Sequence, residues 1–207
     1  MEQLEQLGIV PVDYAVLRSL FQDYRFPLNK IANLEREGKI IRLKRGMFVV
    51  SPKISRQMLS TELIANHLYG PSYVSMESAL RYYGLIPEQV YTVRSMTPNR
   101  SKAFENKIAN FEYIKVSKDY YSVGIKQHVE SNYSFLMATP EKALCDIIVA
   151  TPHLQIRSLK TLSSYLEDDL RFDMSGLEKM NLDIIRQCAD VGKKKGSLSL
   201  LIKFLQR

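Results

Sequence analysis

The 207-residue sequence has no tryptophan, two cysteines and three histidines. Cys145 and Cys188 lie in separate apolar helical runs with no second cysteine nearby, which predicts buried, reduced thiols and no disulfide framework. His67, His128 and His153 are scattered, and none has a second ligand at the spacing that a helix or hairpin offers a metal. We therefore expect neither a metal site nor a cofactor.

Long apolar runs and catalytic motifs are missing as well. No stretch approaches the roughly eighteen apolar residues of a membrane helix, and the acidic amino terminus lacks a signal-peptide core. There is no P-loop, nucleophile elbow or HExxH motif. Segment 105–107 has the acid-x-lysine spacing of a nuclease strand, but no convincing aspartate precedes it. These absences predict a cytoplasmic protein that is not an enzyme and does not contact a membrane.

Positive charge, by contrast, is concentrated in one segment. The chain has a formal net charge of +7, and residues 27–56 hold eight Lys or Arg against two Glu, a net charge of +6. Electrostatic attraction to a polyanion needs basic groups gathered on one surface. The ordinary alternative is a solvated face, which explains most basic helices and hairpins. The concentration of nearly the whole charge excess in this segment favours contact with nucleic acid.

The same segment carries the pattern of a helix followed by a hairpin. A helix is predicted over 27–37, because a proline suits its first turn, Ile31 and Leu34 repeat at helical spacing, and a glycine follows. Two β-prone runs come next, at 40–43 and 47–50. The cationic turn between them contains a glycine that can take a positive φ.

An earlier helix, predicted over 12–22, presents an apolar stripe that can support the basic helix. Together these elements predict a winged helix over residues 1–52. Only about four residues separate the two helices, so no middle helix fits between them unless segment 2–7 supplies it. We therefore expect a minimal winged helix.

The basic helix is expected to enter the major groove of duplex DNA. Asn and Arg side chains make paired hydrogen bonds to adenine and guanine, which Lys cannot do as selectively. The wing is expected to contact the backbone or the minor groove. The predicted DNA-contacting residues are Asn29, Lys30, Asn33, Arg36, Arg42, Lys44 and Arg45.

The remaining chain, over 58–207, predicts a second domain behind a polar boundary at 51–57. Strands are expected in one sheet over about 90–138, at 91–96, 111–116, 121–129 and 133–138. Helices are expected at 60–69, 76–83, 156–168, 175–180, 182–191 and 198–205. Thr139-Pro140-Glu141 begins a further helix with a cap, a first-turn proline and an acid. The expected class is α+β: a minimal winged helix, then a mixed α/β domain with a roughly four-stranded sheet and a helical C-terminus.

Three blocks of sequence, spread in order over almost the whole chain, resemble the AbiEi-type antitoxins of type IV toxin-antitoxin systems. They are LEREGKIIRLKRG at 34–46 with FVV at 48–50, YGPSYVS at 69–75 with ESAL at 77–80 and YGLIP at 83–87, and ATPEKALCD at 138–146. The resemblance implies a winged-helix repressor of its own operon, active in phage defence. It also implies that the protein counteracts a nucleotidyltransferase-like toxin without forming a stable complex with it.

Two further groups of cations are candidates for an antitoxin or nucleic-acid surface. The first comprises Arg81, Arg94, Arg100 and Lys102, and the second Lys193, Lys194 and Lys195. Residues 193–207 hold five cations, Arg207 among them, and no acid. An exposed loop and a solvated C-terminus are the ordinary explanations. Two other functions stay open: a regulator with a ligand-sensing or protein-sensing second domain, and an interaction protein that does not bind DNA. A homodimer on inverted repeats would suit a repressor.

Overall fold

Residues 2–50 form three helices and a three-stranded sheet around a small hydrophobic core, in a computed structural model that describes residues 2–87 and 91–206. The helices are α1 (Glu2–Glu5), α2 (Tyr14–Leu20) and α3 (Pro27–Arg36). The strands are β1 (Val12–Asp13), β2 (Ile40–Lys44) and β3 (Met47–Val50). Both neighbouring pairs in the order β1-β3-β2 are antiparallel.

Local signals set these boundaries. The Asp13 carboxylate accepts a hydrogen bond from the Val16 N–H at 2.9 Å and caps α2, so residues 12 and 13 belong to β1 and not to the predicted helix. Pro27 occupies the first turn of α3, and Gly38 follows that helix at a φ of +67°. Gly46 has a φ of +79° in the hairpin turn, a conformation that glycine adopts without strain.

Helix α1 supplies the third helix of the winged-helix unit. Leu4 is 1% exposed and belongs to the same core as Leu17, Ile31 and Phe48. Segment 2–7 therefore does supply a helix, which precedes β1 and packs on the small core through Leu4. The unit is a three-helix winged helix.

The wing sheet lies between two cores. Phe48 and Val50 face the small core, whereas Leu43 and Val49 belong to the larger core of the second part of the chain. Segment 51–57, expected to be a polar boundary, contains helix α4 (Pro52–Ser55). The second face of the wing is therefore covered by protein.

The second part of the chain consists of helices around a mixed sheet. Its helices are α5 (Thr61–Leu68), α6 (Met76–Tyr82), α7 (Lys118–Tyr121), α8 (Pro140–Ala150), α9 (Leu159–Ser164), α10 (Leu182–Val191) and α11 (Lys195–Leu205). A π-helical turn, Tyr165–Asp169, extends α9, and a 3₁₀ helix, Met174–Lys179, precedes α10. Its strands are β4 (Tyr73–Val74), β5 (Thr92–Thr97), β6 (Lys102–Glu105), β7 (Asn110–Lys115), β8 (Ile125–Val129) and β9 (Ser134–Ala138).

The sheet has six strands in the order β6-β7-β5-β4-β9-β8, so the prediction of roughly four strands is too low. Pairs β5–β7 and β4–β9 are parallel and the others antiparallel, which makes the sheet mixed. Strand β4 has two residues, too few to show a period. Strand β6 lies at an edge and is largely exposed, so it lacks the alternating apolar pattern that identifies a half-buried strand. The α+β class is confirmed.

Further details differ from the sequence-based expectation, and the helix expected at 156–168 begins only at Leu159. Tyr121 ends α7 instead of beginning a strand, because Ser117 caps a short helix there. The C-terminal helix begins at Lys195, not at residue 198. Val90, where the sheet region was expected to begin, and Arg207 lie outside the described residues. Within residues 2–87 and 91–206, none of the helices has the length and apolarity that crossing a bilayer requires.

A buried ion pair connects α8 to the centre of the sheet. Lys142 and Asp146 are both 0% exposed, and the Lys142 Nζ lies 3.2 Å from the Asp146 Oδ1. Tyr73 and Ser75 donate hydroxyl hydrogen bonds to the Asp146 Oδ2 at 3.1 and 2.6 Å. The Lys142 ammonium also donates to the Tyr120 carbonyl at 2.9 Å.

This buried cluster was not predicted from the sequence. The available signal was a Lys and an Asp four residues apart among Ala, Leu, Cys and Ile, where charged side chains are uncommon unless they are paired. The cluster joins residues 69–75 to residues 138–146, which are two of the three blocks that carry the family resemblance.

Candidate nucleic-acid interface

Helix α3 exposes a continuous polar face. Ile31 and Leu34 are each 2% exposed and hold the helix on the small core. Asn29, Asn33 and Arg36 lie on the opposite side and are exposed, as their spacing of four and then three residues requires. Three of the four residues predicted on this helix therefore share one outward surface.

Lys30 lies at the side of that surface. It is half-buried, and its Nζ lies 5.1 Å from the centre of the Tyr24 ring. Tyr24 and Phe26 are 50% and 59% exposed in the short connection before α3. Ammonium groups are attracted to aromatic faces, so Tyr24 holds Lys30 beside the helix.

Arg42 on β2 is paired with an acid of α3. Its Nε and Nη2 donate to the two oxygens of Glu35 at 2.8 and 2.5 Å, and its guanidinium lies over the Phe48 ring. The hydrogen bond from Arg42 holds the pKa of Glu35 below its ordinary value. The predicted phosphate contact of Arg42 would thus have to share this guanidinium with Glu35, which sequence spacing did not indicate.

Lys44 is not at the exposed tip of the wing, contrary to the sequence-based expectation. Its Nζ donates to the backbone carbonyl of Leu68, the last residue of α5, at 2.6 Å. Partial burial, with a smaller contribution from the nearby Lys102, lowers the pKa of Lys44. The side chain points to the second part of the chain because the apolar residues of the wing sheet pack there. Arg45, the next residue, is exposed in the turn.

The exposed residues of α3 and the tip residue of the wing define the α3–wing face: Leu28, Asn29, Ala32, Asn33, Arg36 and Arg45. Both positive charges of this face belong to arginines. Lys39 is excluded from it because its Nζ lies 2.6 Å from the Glu37 carboxylate. The face combines hydrogen-bonding amides with guanidinium groups, which suits base edges and phosphates.

The first of the two further groups of cations predicted above contains residues with different surroundings. Arg94 lies between Glu77 and Glu112, each at 3.0 Å, and is not a free cation. Arg81 donates to the Pro87 carbonyl at 2.7 Å. Arg100 is exposed.

Lys102 is exposed on the edge strand β6, where its Nζ lies 4.9 Å from the centre of the Phe104 ring. The Nζ of Lys44 lies 5.8 Å from the same ring. Arg100 and Lys102 are therefore exposed, and Lys102 adjoins the wing through the ring of Phe104. Arg81 is exposed as well but donates to the Pro87 carbonyl, and Arg94 is held by two glutamates.

The Lys194 side chain donates hydrogen bonds at the C-terminal end of helix α8, so it is not part of an exposed basic patch. Its Nζ donates to the carbonyls of Ile148, Thr151 and Leu154 at 2.9, 2.9 and 3.0 Å. Carbonyls at a helix C-terminus lack intrahelical partners, and a cation there also complements the helix dipole. Lys193 and Lys195 are exposed, with Lys195 at 3.5 Å from Asp190.

Replacing Lys194 with methionine is expected to lower the free energy of unfolding by about 1–2 kcal/mol, because three carbonyls lose a charged donor at a partly solvated site. Lys195→Met, a change of the neighbouring exposed lysine, should have little effect. Urea denaturation of both variants measures the difference. Equal stability of the two variants would show that the three hydrogen bonds do not stabilise α8.

The two cysteines are neighbours in space although they are far apart in sequence. Cys145 on α8 and Cys188 on α10 are buried and unbridged, and burial raises the pKa of Cys145. Among the residues that the structure describes, no three His, Cys, Asp or Glu side chains are grouped closely enough to hold a metal ion.

The chain as a whole has an α+β fold with a winged-helix unit at its N-terminal end. The crystal structure of the RV2827C protein from Mycobacterium tuberculosis is similar, with a TM-score of 0.54 and 13% sequence identity. The similarity covers 98% of this chain and 79% of that chain, and at this identity it concerns the fold alone. No protein-family model matches the sequence, and no curated protein matches it.

Proposed function

We propose that this protein is a cytoplasmic antitoxin of a type IV toxin-antitoxin system, which binds duplex DNA through its winged helix and represses its own operon. It counteracts a nucleotidyltransferase-like toxin without forming a stable complex with it, and it is not an enzyme. The observation that carries the DNA-binding part is the exposed surface of α3 with Asn29, Asn33 and Arg36, together with the exposed Arg45 in the turn of the wing.

The geometry supports entry of α3 into the major groove. An α-helix fits the width of that groove, and in helix-turn-helix proteins the second helix contacts base edges while the first supports it. Here α2 supports α3 through Leu17 and Phe21, which pack with Ile31 and Leu34. Two copies bound to inverted repeats would place two such helices in successive major grooves.

The antitoxin part is supported by the resemblance of three sequence blocks to AbiEi-type antitoxins. Two of these blocks meet at the buried Lys142–Asp146 pair, through Tyr73 and Ser75. Residues that determine how the second part folds would be shared by proteins with the same architecture. This contact gives a physical reason for the two blocks to occur together.

Reversing both charges of the α3–wing face, with Arg36→Glu and Arg45→Glu, is expected to weaken binding to the DNA upstream of the gene by roughly 100-fold or more. One substitution removes a guanidinium from the groove-facing helix and the other places a carboxylate near phosphates. Gel-shift titration at about 50 mM and about 200 mM salt measures affinity and its salt dependence.

Lys118→Glu is the control for one charge reversal elsewhere, because Lys118 is an exposed lysine on α7, outside the winged-helix unit. It should leave the shift nearly unchanged. Undiminished binding by the double variant would exclude the α3–wing face, and absence of any shift by the wild type at low salt would exclude DNA binding and favour an interaction protein.

Arg100→Glu combined with Lys102→Glu tests the proposed antitoxin surface. These two cations are exposed and Lys102 adjoins the wing, whereas Arg94 is held by two glutamates and its replacement would disturb the fold. We expect rescue of cells that express the toxin to fall by about tenfold, as counted by colony formation, if electrostatic attraction to an anionic target carries neutralisation. Lys118→Glu is again the control; full rescue by the double variant would remove this surface from the proposal.

A ligand-sensing regulator is the second candidate, favoured by a cavity of about 490 Å³ in the second part of the chain. Its lining includes apolar residues such as Ile114 and Val149, with Lys115 and Lys193 also contributing. Cavities of this size accept small molecules. A neighbouring gene for a nucleotidyltransferase-like protein, with rescue by this chain, distinguishes the antitoxin from such a regulator.

A further inference from the structure

We propose that the exposed face of α3 selects adenine–thymine base pairs, with one guanine–cytosine pair at the end contacted by Arg36. This inference rests on the proposed DNA binding and adds which bases the helix recognises. It follows from the chemistry of five exposed side chains and from the contacts that engage their neighbours.

The face consists of two parallel rows with different chemistry. Asn29 and Asn33 form a row of carboxamides four residues apart, and both are exposed. Leu28 and Ala32 form an apolar row with the same spacing, and Leu28 is 55% exposed. Residues three or four apart are neighbours on a helix, so each row continues along the helix and Ala32 of the apolar row lies beside Asn29 of the carboxamide row.

An adenine–thymine pair offers a partner to both rows at once. Adenine presents its N7 acceptor and N6 donor to the major groove, which a carboxamide can contact with two hydrogen bonds. Thymine in the same pair presents a 5-methyl group, which makes apolar contacts. Guanine presents two acceptors and cytosine has no methyl group, so a guanine–cytosine pair would satisfy neither row fully.

Arg36 follows the row of carboxamides and adds a guanidinium group that can contact guanine. Its Nη2 donates to the Asn33 Oδ1, so the two side chains are held together on the free surface. The remaining guanidinium N–H groups can reach guanine O6 and N7, while the Asn33 Nδ2 and a second lone pair of its oxygen stay available for adenine. Residues 33 and 36 are separated by roughly 4.5 Å along the axis, which lies between one and two base-pair steps of about 3.4 Å.

Two neighbouring charged side chains, Glu35 and Lys30, are held by other residues and do not compete for contacts with the bases. Glu35 could accept a hydrogen bond from cytosine N4, but both of its oxygens are engaged by Arg42. Lys30 is held at the Tyr24 ring. Asn29 and Asn33 lie roughly 6 Å apart along the helix, close to two base-pair steps, so the contacted stretch is a short half-site.

The test uses the full chain and a library of random duplexes, from which bound DNA is recovered and sequenced. We expect enrichment of adenine–thymine pairs followed by one guanine. In the selected duplex, 7-deazaadenine removes the N7 acceptor, and deoxyuridine in place of thymine removes the methyl group. Wild-type affinity should fall by about tenfold with 7-deazaadenine at the position read by Asn33 and by a smaller factor with deoxyuridine.

Two surface variants show which side chain reads which atom. Asn33→Ala should bind the 7-deazaadenine duplex as well as the unmodified one, and Leu28→Ala should be insensitive to deoxyuridine. If the variants lose affinity to the same extent as wild type on modified DNA, or if the selected sites are rich in guanine and cytosine, this inference is overturned and DNA binding stands. If no duplex is retained at low salt, both proposals are overturned.

Discussion

Lys142→Met is expected to lower the free energy of unfolding by about 3–5 kcal/mol. The substitution leaves the carboxylate of Asp146 fully buried without its cation, and breaking one half of a buried pair is costly because the remaining charge has no water to solvate it. The Tyr120 carbonyl would lose its donor as well. The hydroxyls of Tyr73 and Ser75 would still donate to Asp146, but they carry no charge.

An exposed ion pair in the same part of the chain provides the control. Arg186 lies 2.7 Å from Asp183 on α10, with side-chain exposures of 49% and 72%. Arg186→Met should therefore change stability by less than about 0.5 kcal/mol. Guanidinium or urea denaturation, followed by far-UV circular dichroism, measures both variants. A loss for Lys142→Met no larger than that for Arg186→Met would show that the buried pair does not stabilise the fold.

Gly192→Ala is expected to destabilise the protein by about 1–3 kcal/mol, because the added methyl group has no space. A Cβ at this position would lie 2.4 Å from the Cys188 carbonyl oxygen and 2.7 Å from the Cε2 of Tyr120. Tyr120 cannot move away easily, since the centre of its ring lies 3.1 Å from the Nζ of the buried Lys142. Relief of the clash would therefore disturb the contacts around Lys142.

Gly196 in α11 is the matched control, because a Cβ there meets nothing within 4 Å. Gly196→Ala should stabilise the protein by less than about 0.5–1 kcal/mol, since that is the cost of glycine in a helix interior and Gly196 is the second residue of α11. Thermal and urea unfolding of the two variants gives the comparison. Similar effects of both changes would mean that the region around Tyr120 adapts to the extra methyl group.

These stability variants also serve the functional tests. Leu43 and Val49 of the wing belong to the larger core, so damage to the second part of the chain can reach the wing. A DNA-binding defect in Arg36→Glu or Arg45→Glu is informative when the variant keeps wild-type unfolding behaviour. Lys142→Met changes no residue of the α3–wing face, so a loss of DNA binding in that variant would report the loss of stability.

The sequence by itself determined the elements that local signals specify. Helix α3 and the β2–β3 hairpin follow from a first-turn proline, apolar spacing and two glycines, and α8 follows from its cap, proline and acid. The exposed positions of Asn29, Asn33 and Arg36 follow from helical periodicity alone. Such features depend on residues within a few positions of one another, which is why reading the sequence locates them.

The tertiary structure decided what each charged side chain contacts. Lys44 and Lys194 lie in basic segments of the sequence, yet the ammonium group of each donates to backbone carbonyl oxygen in another part of the fold. Arg94 is held by two glutamates. The contacts of the buried Lys142–Asp146 pair are also long-range, because the hydroxyl groups that donate to Asp146 lie more than seventy positions away in the sequence. A sequence specifies how many cations there are, whereas long-range packing decides which of them lose water and which remain free to meet a phosphate.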